Sequence, residues 1–387
     1  MKKIAVVTAT RAEYGILTPL IRAVNDDTEL ELELIVTGTH LIEKYGYTLK
    51  FIEKDGFPIA HKIPILEAGN TPYDISITMA NAIRGFAECF RDDRPDMVVI
   101  LGDRTEMLGI AAAAMNERIP IAHLHGGEVT EGAVDDCVRH ALSKMSYLHF
   151  TSTEVYRNRV VQLGEAPERV FFVGALSTEN ILKAPLLSET ELRKEVGIPE
   201  GMKYSVVTFH PVTLEADSAK QQTLALCEAM EACSDTYYLI TMANADTGGD
   251  IVNKVISEFA DKHDNIQLVS SLGMTKYLSA VKYSNYVLGN SSSGIIEAPV
   301  LGVPTVNIGD RQKGRLMAET VINCEPDKNS ILNAINKAEK MEHHPVLMYG
   351  DGTTSKKIVS IIKDTLMNNK VDLKKCFYDM KGEKCEN

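Results

Sequence analysis

Short apolar runs bounded by turn or polar residues recur along the first half of the chain: Ile4 to Thr8, Leu32 to Val36, Met97 to Leu101, Ile119 to His123 and Phe171 to Val173. Runs of this length without alternation are the pattern of strands buried on both faces, as in a parallel sheet. Segments of helical length and spacing separate them. After Asp135 and Asp136, for example, Val138, Ala141, Leu142 and Met145 form one apolar stripe. A second series follows a charged, mixed stretch from Leu182 to Lys203, with strands predicted at Ser205 to Phe209, Tyr237 to Thr241, Ile266 to Val269, Tyr286 to Leu288 and Thr305 to Ile308. Strand and helix alternate in both series, which predicts layered α/β architecture. Neither series has a self-similar period of about 20 to 50 residues, so a solenoid is not indicated.

At 387 residues the chain exceeds the usual domain of about 100 to 200 residues, so two domains and a cleft between them are expected. The boundaries fall at 1–180 for an N-terminal Rossmann-like domain, 181–354 for a C-terminal one, and 355–387 for a last helix and polar tail that pack back on the first domain. The tail, VDLKKCFYDMKGEKCEN, offers no evident core face and is expected to be partly mobile.

Composition narrows the function classes. Apolar residues at 44% and charged residues at 24% allow a sizeable core and argue against disorder. The formal net charge of −12, with no basic patch to offset it, disfavours nucleic acid as a partner. It does not disfavour a diphosphate, which a few arginines and helix-start N–H groups can hold locally. Seven cysteines form no CxxC pair, so neither a disulfide nor a zinc framework is expected. MKKIAVVTATRAEYG reads as a first strand rather than a signal peptide, and no apolar run reaches the roughly 18 residues of a membrane span, so no membrane association and a cytoplasmic location are expected.

In open parallel sheets ligands bind beyond the strand ends, which makes those positions the first candidates. Five carry polar clusters: Thr10-Arg11-Ala12-Glu13-Tyr14, Gly102-Asp103-Arg104-Thr105-Glu106, His123-Leu124-His125-Gly126-Gly127-Glu128, His210-Pro211, and Gly289-Asn290-Ser291-Ser292-Ser293-Gly294. The last has the form strand, Gly/Ser turn, helix, which suits an anion, with Glu297 behind it able to accept from ribose hydroxyls. It is no Walker A loop, since Ile295 and Ile296 stand where Lys and Ser/Thr are required. The turn holding Arg11 lacks GxGxxG, against a nicotinamide site. Asp103 and Arg104 put a carboxylate and a permanent cation side by side, fit either for proton transfer and diphosphate binding or for a structural ion pair. Around HLHGGE lie Glu128, Glu131, Asp135 and Asp136, but the HExxH spacing is missing and strand alternation separates the two histidines, so no metal is assigned. Arg139 follows Asp135 by four residues and His140 follows Asp136 by four, as helix neighbours.

Taken together, RAEYG, LGDRTE, HLHGGE with Asp135-Asp136 and Arg139-His140, FHP, and GNSSSGIIEAP followed by NIGDRQKGR resemble the UDP-N-acetylglucosamine 2-epimerase family, in its hydrolysing, sialic-acid-type branch. The resemblance runs from about residue 2 into the low 360s and keeps motif order. It implies two Rossmann-like domains facing a cleft, a GT-B-like fold, with UDP held mainly by the second. It further implies that Arg11, Arg104, His210, Asn244, Ser291, Ser292, Glu297 and Arg311 contact UDP, and that Asp103, Glu128, Asp135 and His125 supply proton transfer, Asp136 being less favoured. The implied reaction eliminates UDP across C1 and C2 to a 2-acetamidoglucal, then adds water to give N-acetylmannosamine, with no metal or redox cofactor. One departure is His125, where some relatives carry a Glu.

Four alternatives stay open on the sequence: a UDP-2,4-diacetamido-trideoxyhexose substrate of the legionaminic acid pathway, a non-hydrolysing epimerase, a GT-B glycosyltransferase, and an inert UDP-sugar sensor. A homo-oligomer, dimer or tetramer, is expected of an enzyme of this size.

Overall fold

The structure is a computed structural model that describes residues 1–67, 69, 71–129, 134–211, 219–243, 249–270, 272–368 and 370–380. The chain folds into two compact units, residues 1–180 with 349–387, and residues 181–348.

The first unit is built on seven strands: β1 (Lys2–Thr8), β2 (Leu30–Thr37), β3 (Ile59–Ile63), β4 (Met97–Leu101), β5 (Ile121–Leu124), β6 (Leu148–Thr151) and β7 (Val170–Phe172). They pair in parallel in the order β3-β2-β1-β4-β5-β6-β7, so the connection reverses direction between β1 and β4. Its helices are α1 (Arg11–Asn25), α2 (Leu49–Asp55), α3 (Pro72–Asp92), α4 (Thr105–Asn116), α5 (Val134–Met145) and α6 (Glu154–Gln162). Helix α7 (Leu176–Lys183) carries the chain out of this unit. Because side chains alternate across a strand, Ile4 and Val6 join Leu17, Leu20 and Ile21 of α1 in one core layer, while Ala5 and Val7 join Phe86 and Phe90 of α3 and Ile110 of α4 in the other.

The second unit repeats the plan with α8 (Glu189–Val196), β8 (Tyr204–Thr208), α9 (Ala219–Ala232), β9 (Tyr237–Thr241), α10 (Gly249–Ala260), β10 (Ile266–Val269), α11 (Gly273–Tyr283), β11 (Tyr286–Gly289), α12 (Ser293–Leu301), β12 (Thr305–Ile308), β13 (Val321–Cys324) and α13 (Lys328–Ala338). Its six parallel strands run β10-β9-β8-β11-β12-β13, with the reversal between β8 and β11. Both faces are again covered, one layer around Tyr238, Tyr286 and Leu288, the other around Tyr204, Val206 and Leu239.

Three strands were not anticipated: β3, β6 and β13. Each is only four or five residues long and carries polar side chains, as in IAHKI, LHFT and VINC, so none makes a continuous apolar run. No helix among the described residues is long and apolar enough to cross a membrane.

Chain return is made by α14 (Thr354–Met367), whose Ile358, Ile362 and Leu366 complete the core layer that α1 begins. Residues 370–380 of the tail are tied to the first unit, and residues 381–387 lie outside the described residues. Lys370 O and Asp372 N share the Tyr147 hydroxyl, Tyr378 N donates to Gly164 O, and Lys375 Nζ donates to Ser146 O at 2.6 Å. Lys375 also meets Glu165 at 2.7 Å, a wholly buried carboxylate that His149 and Lys144 flank as well. The polar character of the tail therefore serves an interior carboxylate, which sequence position alone does not reveal.

Burial would raise Glu165, but hydrogen bonds from His149, Lys144 and Lys375 outweigh it and hold it at about 2. A carboxylate depressed below its ordinary value adds stability above that value and loses it as pH falls toward the folded one. Glu165→Gln is expected to be about 1–3 kcal/mol less stable at neutral pH, yet to lose less stability than the parent between pH about 4.5 and about 2. Thermal melts across that window check this, and parallel pH slopes would remove Glu165 as the source.

Candidate active site

In the first unit the polar clusters converge on the ends of β1, β4, β5 and β6, around the reversal point. The centre is Arg139 of α5, whose side chain is 4% exposed. Its guanidinium donates to Asp103 beyond β4, to Asp136 one turn back on its own helix, and to the Glu128 carbonyl at 2.8 Å. Asp103 and Arg104 thus do not pair with each other. Arg104 turns away and donates Nε–H to Glu106 at 2.6 Å. A cavity of about 290 Å³ beside it is lined by Thr39, Glu67, Thr78, Arg104, Thr105 and Glu106.

The helix-neighbour expectation for Asp135 and Arg139 is corrected here. Asp136, three residues before Arg139, makes the pair, and Asp135 lies on the exposed face. A helix turns about 100° per residue, so the i–3 and i–4 positions straddle the same face and only the side turned toward Asp103 can share its guanidinium partner.

The two histidines of HLHGGE take different tasks. His123 is fully buried in β5, donates Nε2–H to Gly102 O at 2.7 Å, and is pushed down to about 3 by burial, so it is a neutral tie between strand ends. His125 adopts φ +66°, the left-handed region that costs a non-glycine residue about 1–2 kcal/mol. Its N–H reaches Phe150 O at 2.9 Å on β6, and its Nδ1 lies 2.8 Å from Glu128 Oε1. Glu128 also accepts from Ser152 Oγ at 2.9 Å. Burial alone would pull His125 down, but the Glu128 carboxylate and then Asp103 outweigh it and hold it above its ordinary value. Glu128 goes the other way: its surroundings would raise it, and His125 with the Ser152 hydroxyl hold it low. Each thus favours the charged form of the other. Between them Gly127, at φ +80°, admits no side chain, because a Cβ would overlap the Tyr156 carbonyl.

At β1, Thr10 caps α1 and Arg11 is exposed, its guanidinium 3.6 Å above the Phe51 ring. Glu13 is buried and accepts from Ala9 N at 3.1 Å; burial pushes it up to about 7, against Arg104 and with Glu106.

The second unit answers with a different chemistry at the ends of β8, β11 and β12. Asn290, 1% exposed, accepts from His210 N at 2.7 Å and donates to His210 O at 2.8 Å, locking the two strand ends together. Arg311 Nη1 and Gln312 Nε2 both donate to the Asn290 carbonyl, at 3.1 and 2.9 Å. His210, Ser291, Ser292 and Arg311 are thereby gathered around one residue. Ser292 begins α12 without capping it through its side chain, and the N–H groups of Ser293, Gly294 and Ile295 are used by Ser291 and Ser292 oxygens. The serine hydroxyls, rather than those N–H groups, are the donors open to a ligand. Glu297, one turn on, is raised by burial, and its Oε2 is buried without a hydrogen-bond partner. Tyr277 donates to Ser293 Oγ at 2.7 Å beside it. Asn244 and Glu131 lie outside the described residues.

Ser152, Gln312 and Tyr277 were missed by sequence reasoning. Ser152 follows β6, a strand too short to be recognised, and Gln312 could have been found as the neighbour of Arg311 at a strand end. Tyr277 sits mid-helix in α11 and carries no such signal.

Two doubly wound parallel sheets, each with its polar side chains gathered at the reversal point, define a Rossmann-type, GT-B-like α/β protein. A family model described as UDP-N-acetylglucosamine 2-epimerase matches residues 22–363, and the chain belongs to that family. It is 40% identical over 342 residues, 88% of each chain, to the GDP/UDP-N,N'-diacetylbacillosamine 2-epimerase (hydrolyzing) of Campylobacter jejuni. It is 39% identical, over 98% of both chains, to polysialic acid biosynthesis protein P7 of Escherichia coli. In fold it resembles the crystal structure of UDP-GlcNAc 2-epimerase from Neisseria meningitidis bound to UDP-GlcNAc, with TM-score 0.76 and 20% identity over 94% of this chain and 100% of that one.

Glu128→Gln removes the anion that holds His125 up while leaving its burial. The pKa of His125 is expected to fall below the ordinary histidine value of about 6.5. A histidine NMR titration checks this, and an unshifted His125 would mean that Asp103, not Glu128, sets its charge.

Proposed function

We propose that the chain is a hydrolysing 2-epimerase that converts UDP-N-acetylglucosamine and water into N-acetylmannosamine and UDP. The observation that carries the reading is the strand-end chemistry of the first unit, in which Asp103 and the His125–Glu128 pair stand around one buried arginine. In this reading the second unit anchors the nucleotide: Ser291 and Ser292 hydroxyls with Arg311 take the diphosphate, Glu297 takes ribose hydroxyls, and His210 adds to the set. Arg11 and Arg104 contribute charge from the first unit, and Asn244 belongs to the same nucleotide set.

The C2 proton of the sugar has no adjacent carbonyl to acidify it, so its removal needs a positioned base and a stabilised leaving group together. Asp103 is the base. Its Arg139 partner fixes the carboxylate without transferring a proton. UDP leaves from C1 as the C1–C2 double bond forms. The second step returns a proton to C2 from the other face and adds water at C1. His125, charged through Glu128, is the acid of that step, and Glu128 accepts the proton of the attacking water. Asp135 keeps only a supporting place at the start of α5, on account of its exposure.

A second reading differs in the sugar. The Campylobacter relative's name specifies a diacetylbacillosamine carried on GDP or UDP, which favours a 2,4-diacetamido-trideoxyhexose as the alternative substrate.

Incubation with each UDP-sugar in deuterated water, followed by NMR, is expected to give free 2-epimerised sugar, UDP, and deuterium at C2. Intact nucleotide sugar would point to the non-hydrolysing reaction, transfer without deuterium to a glycosyltransferase, and binding without turnover to a sensor. Asp103→Asn is expected to lower turnover by about 10²–10⁴ with UDP binding retained. Ser292→Ala with Glu297→Ala should instead weaken UDP binding by about tenfold or more. An active Asp103→Asn enzyme, or an unchanged UDP titration in the double variant, would reassign the base or the nucleotide site.

A further inference from the structure

The first unit carries a second cluster of ligand-type side chains, remote from the strand ends. Glu33 of β2 lies four residues before the strand end at Thr37, about 13 Å back along the strand. With His61 of β3 and Cys89 of α3 it brings a carboxylate oxygen, an imidazole nitrogen and a thiol sulfur within 4.8 Å of one another. Glu33 is 2% exposed, and neither of its carboxylate oxygens has a hydrogen-bond partner. An interior carboxylate without a hydrogen bond is costly, and it is offset either by taking up a proton or by a cation. His61 Nε2 lies 3.4 Å from Oε1. The same Nε2 lies 3.1 Å from Asp93 Oδ2, and Asp93 is paired with Lys3.

We propose that Glu33, His61 and Cys89, with Asp93 as fourth ligand, form a structural zinc site that ties β2, β3 and α3 together. Oxygen, nitrogen and sulfur donors from one cluster match the borderline softness of Zn²⁺. Metal–ligand distances of about 2.0 Å to N and O and 2.3 Å to S make the edges of a tetrahedron with one sulfur about 3.3–3.5 Å. The His61–Asp93 and His61–Glu33 separations, 3.1 and 3.4 Å, already sit close to that range. Charge balances too: the dication and Lys3 together neutralise the Cys89 thiolate and the two carboxylates, the thiol proton passing to solvent. No zinc-motif spacing marks the set, because Glu33 and His61 come from two different strands and only Cys89 and Asp93 share an element, at the end of α3.

The test uses the full chain without a histidine tag, stripped of metal and titrated with Co²⁺. One equivalent should bind with tetrahedral visible bands and a thiolate-to-cobalt charge-transfer band, and the latter should vanish in Cys89→Ser. Absence of stoichiometric binding, or a thiolate band that persists in Cys89→Ser through exposed Cys137 or Cys376, overturns the proposal. X-ray absorption of the zinc-loaded parent needs no variant: one sulfur at about 2.3 Å among N/O neighbours supports the site, and an N/O-only shell leaves Glu33, His61 and Asp93 as a metal-free polar network.

Discussion

The first unit's site depends on one buried guanidinium. Arg139 binds three separate pieces of chain, the turn after β4, the loop after β5 and the start of α5, through Asp103, the Glu128 carbonyl and Asp136. An interior cation so placed cannot be removed without leaving two carboxylates uncompensated, a loss of about 3–5 kcal/mol. It also decides the chemistry of its neighbours. Asp103 is held as an oriented carboxylate, and the backbone at Glu128 is fixed so that its side chain can reach His125 on one side and Ser152 on the other.

The second unit solves the equivalent structural problem without charge. Asn290 joins the ends of β8 and β11 through a reciprocal pair of hydrogen bonds to His210, and its carbonyl takes donors from Arg311 and Gln312. This matters for an anion. A carboxylate in the clamp would repel a diphosphate, whereas a neutral amide leaves the serine hydroxyls and the guanidinium as the dominant local field. Gly289 permits the close approach, since a Cβ there would overlap the Thr208 carbonyl. In the proposed reading the division is thus between a proton-handling end built around a cation with anions and an anion-handling end built around an amide. That division, more than the overall charge of −12, bears on what the chain can bind.

Much of this was legible in the chain. Ten of the strands appear as apolar runs, and the polar clusters after them coincide with both reversal points, because buried parallel strands must be apolar and ligand groups must follow them. What stayed hidden depends on rotation and on long-range pairing. Helical spacing could not choose between Asp135 and Asp136 as the partner of Arg139, since positions three and four residues apart are both within reach on a helix. Adjacency suggested Asp103 with Arg104, but consecutive residues at a strand-to-helix turn point apart, and each found a different partner. The ties of the tail stayed hidden because its partners, Tyr147, Ser146 and Glu165 among them, lie some two hundred residues earlier in the chain. Ser152 was invisible because its strand, LHFT, is half polar, with His149 buried against that same Glu165.

The backbone at His125 gives the clearest sign that the first site is kept for its chemistry. A φ of +66° is one that glycine adopts freely, and glycines follow at the next two positions, so the turn itself asks for no imidazole. Glycine there would relieve about 1–2 kcal/mol of strain. What the strain retains is a ring hydrogen-bonded to Glu128 through Nδ1, with Nε2 buried and unpartnered. A ring with its second nitrogen buried and unpartnered is poorly suited to a structural tie, a task His123 already performs in its neutral form two residues earlier. The arrangement fits the proton-donor role proposed for His125, whose pKa the Glu128 carboxylate holds above its ordinary value.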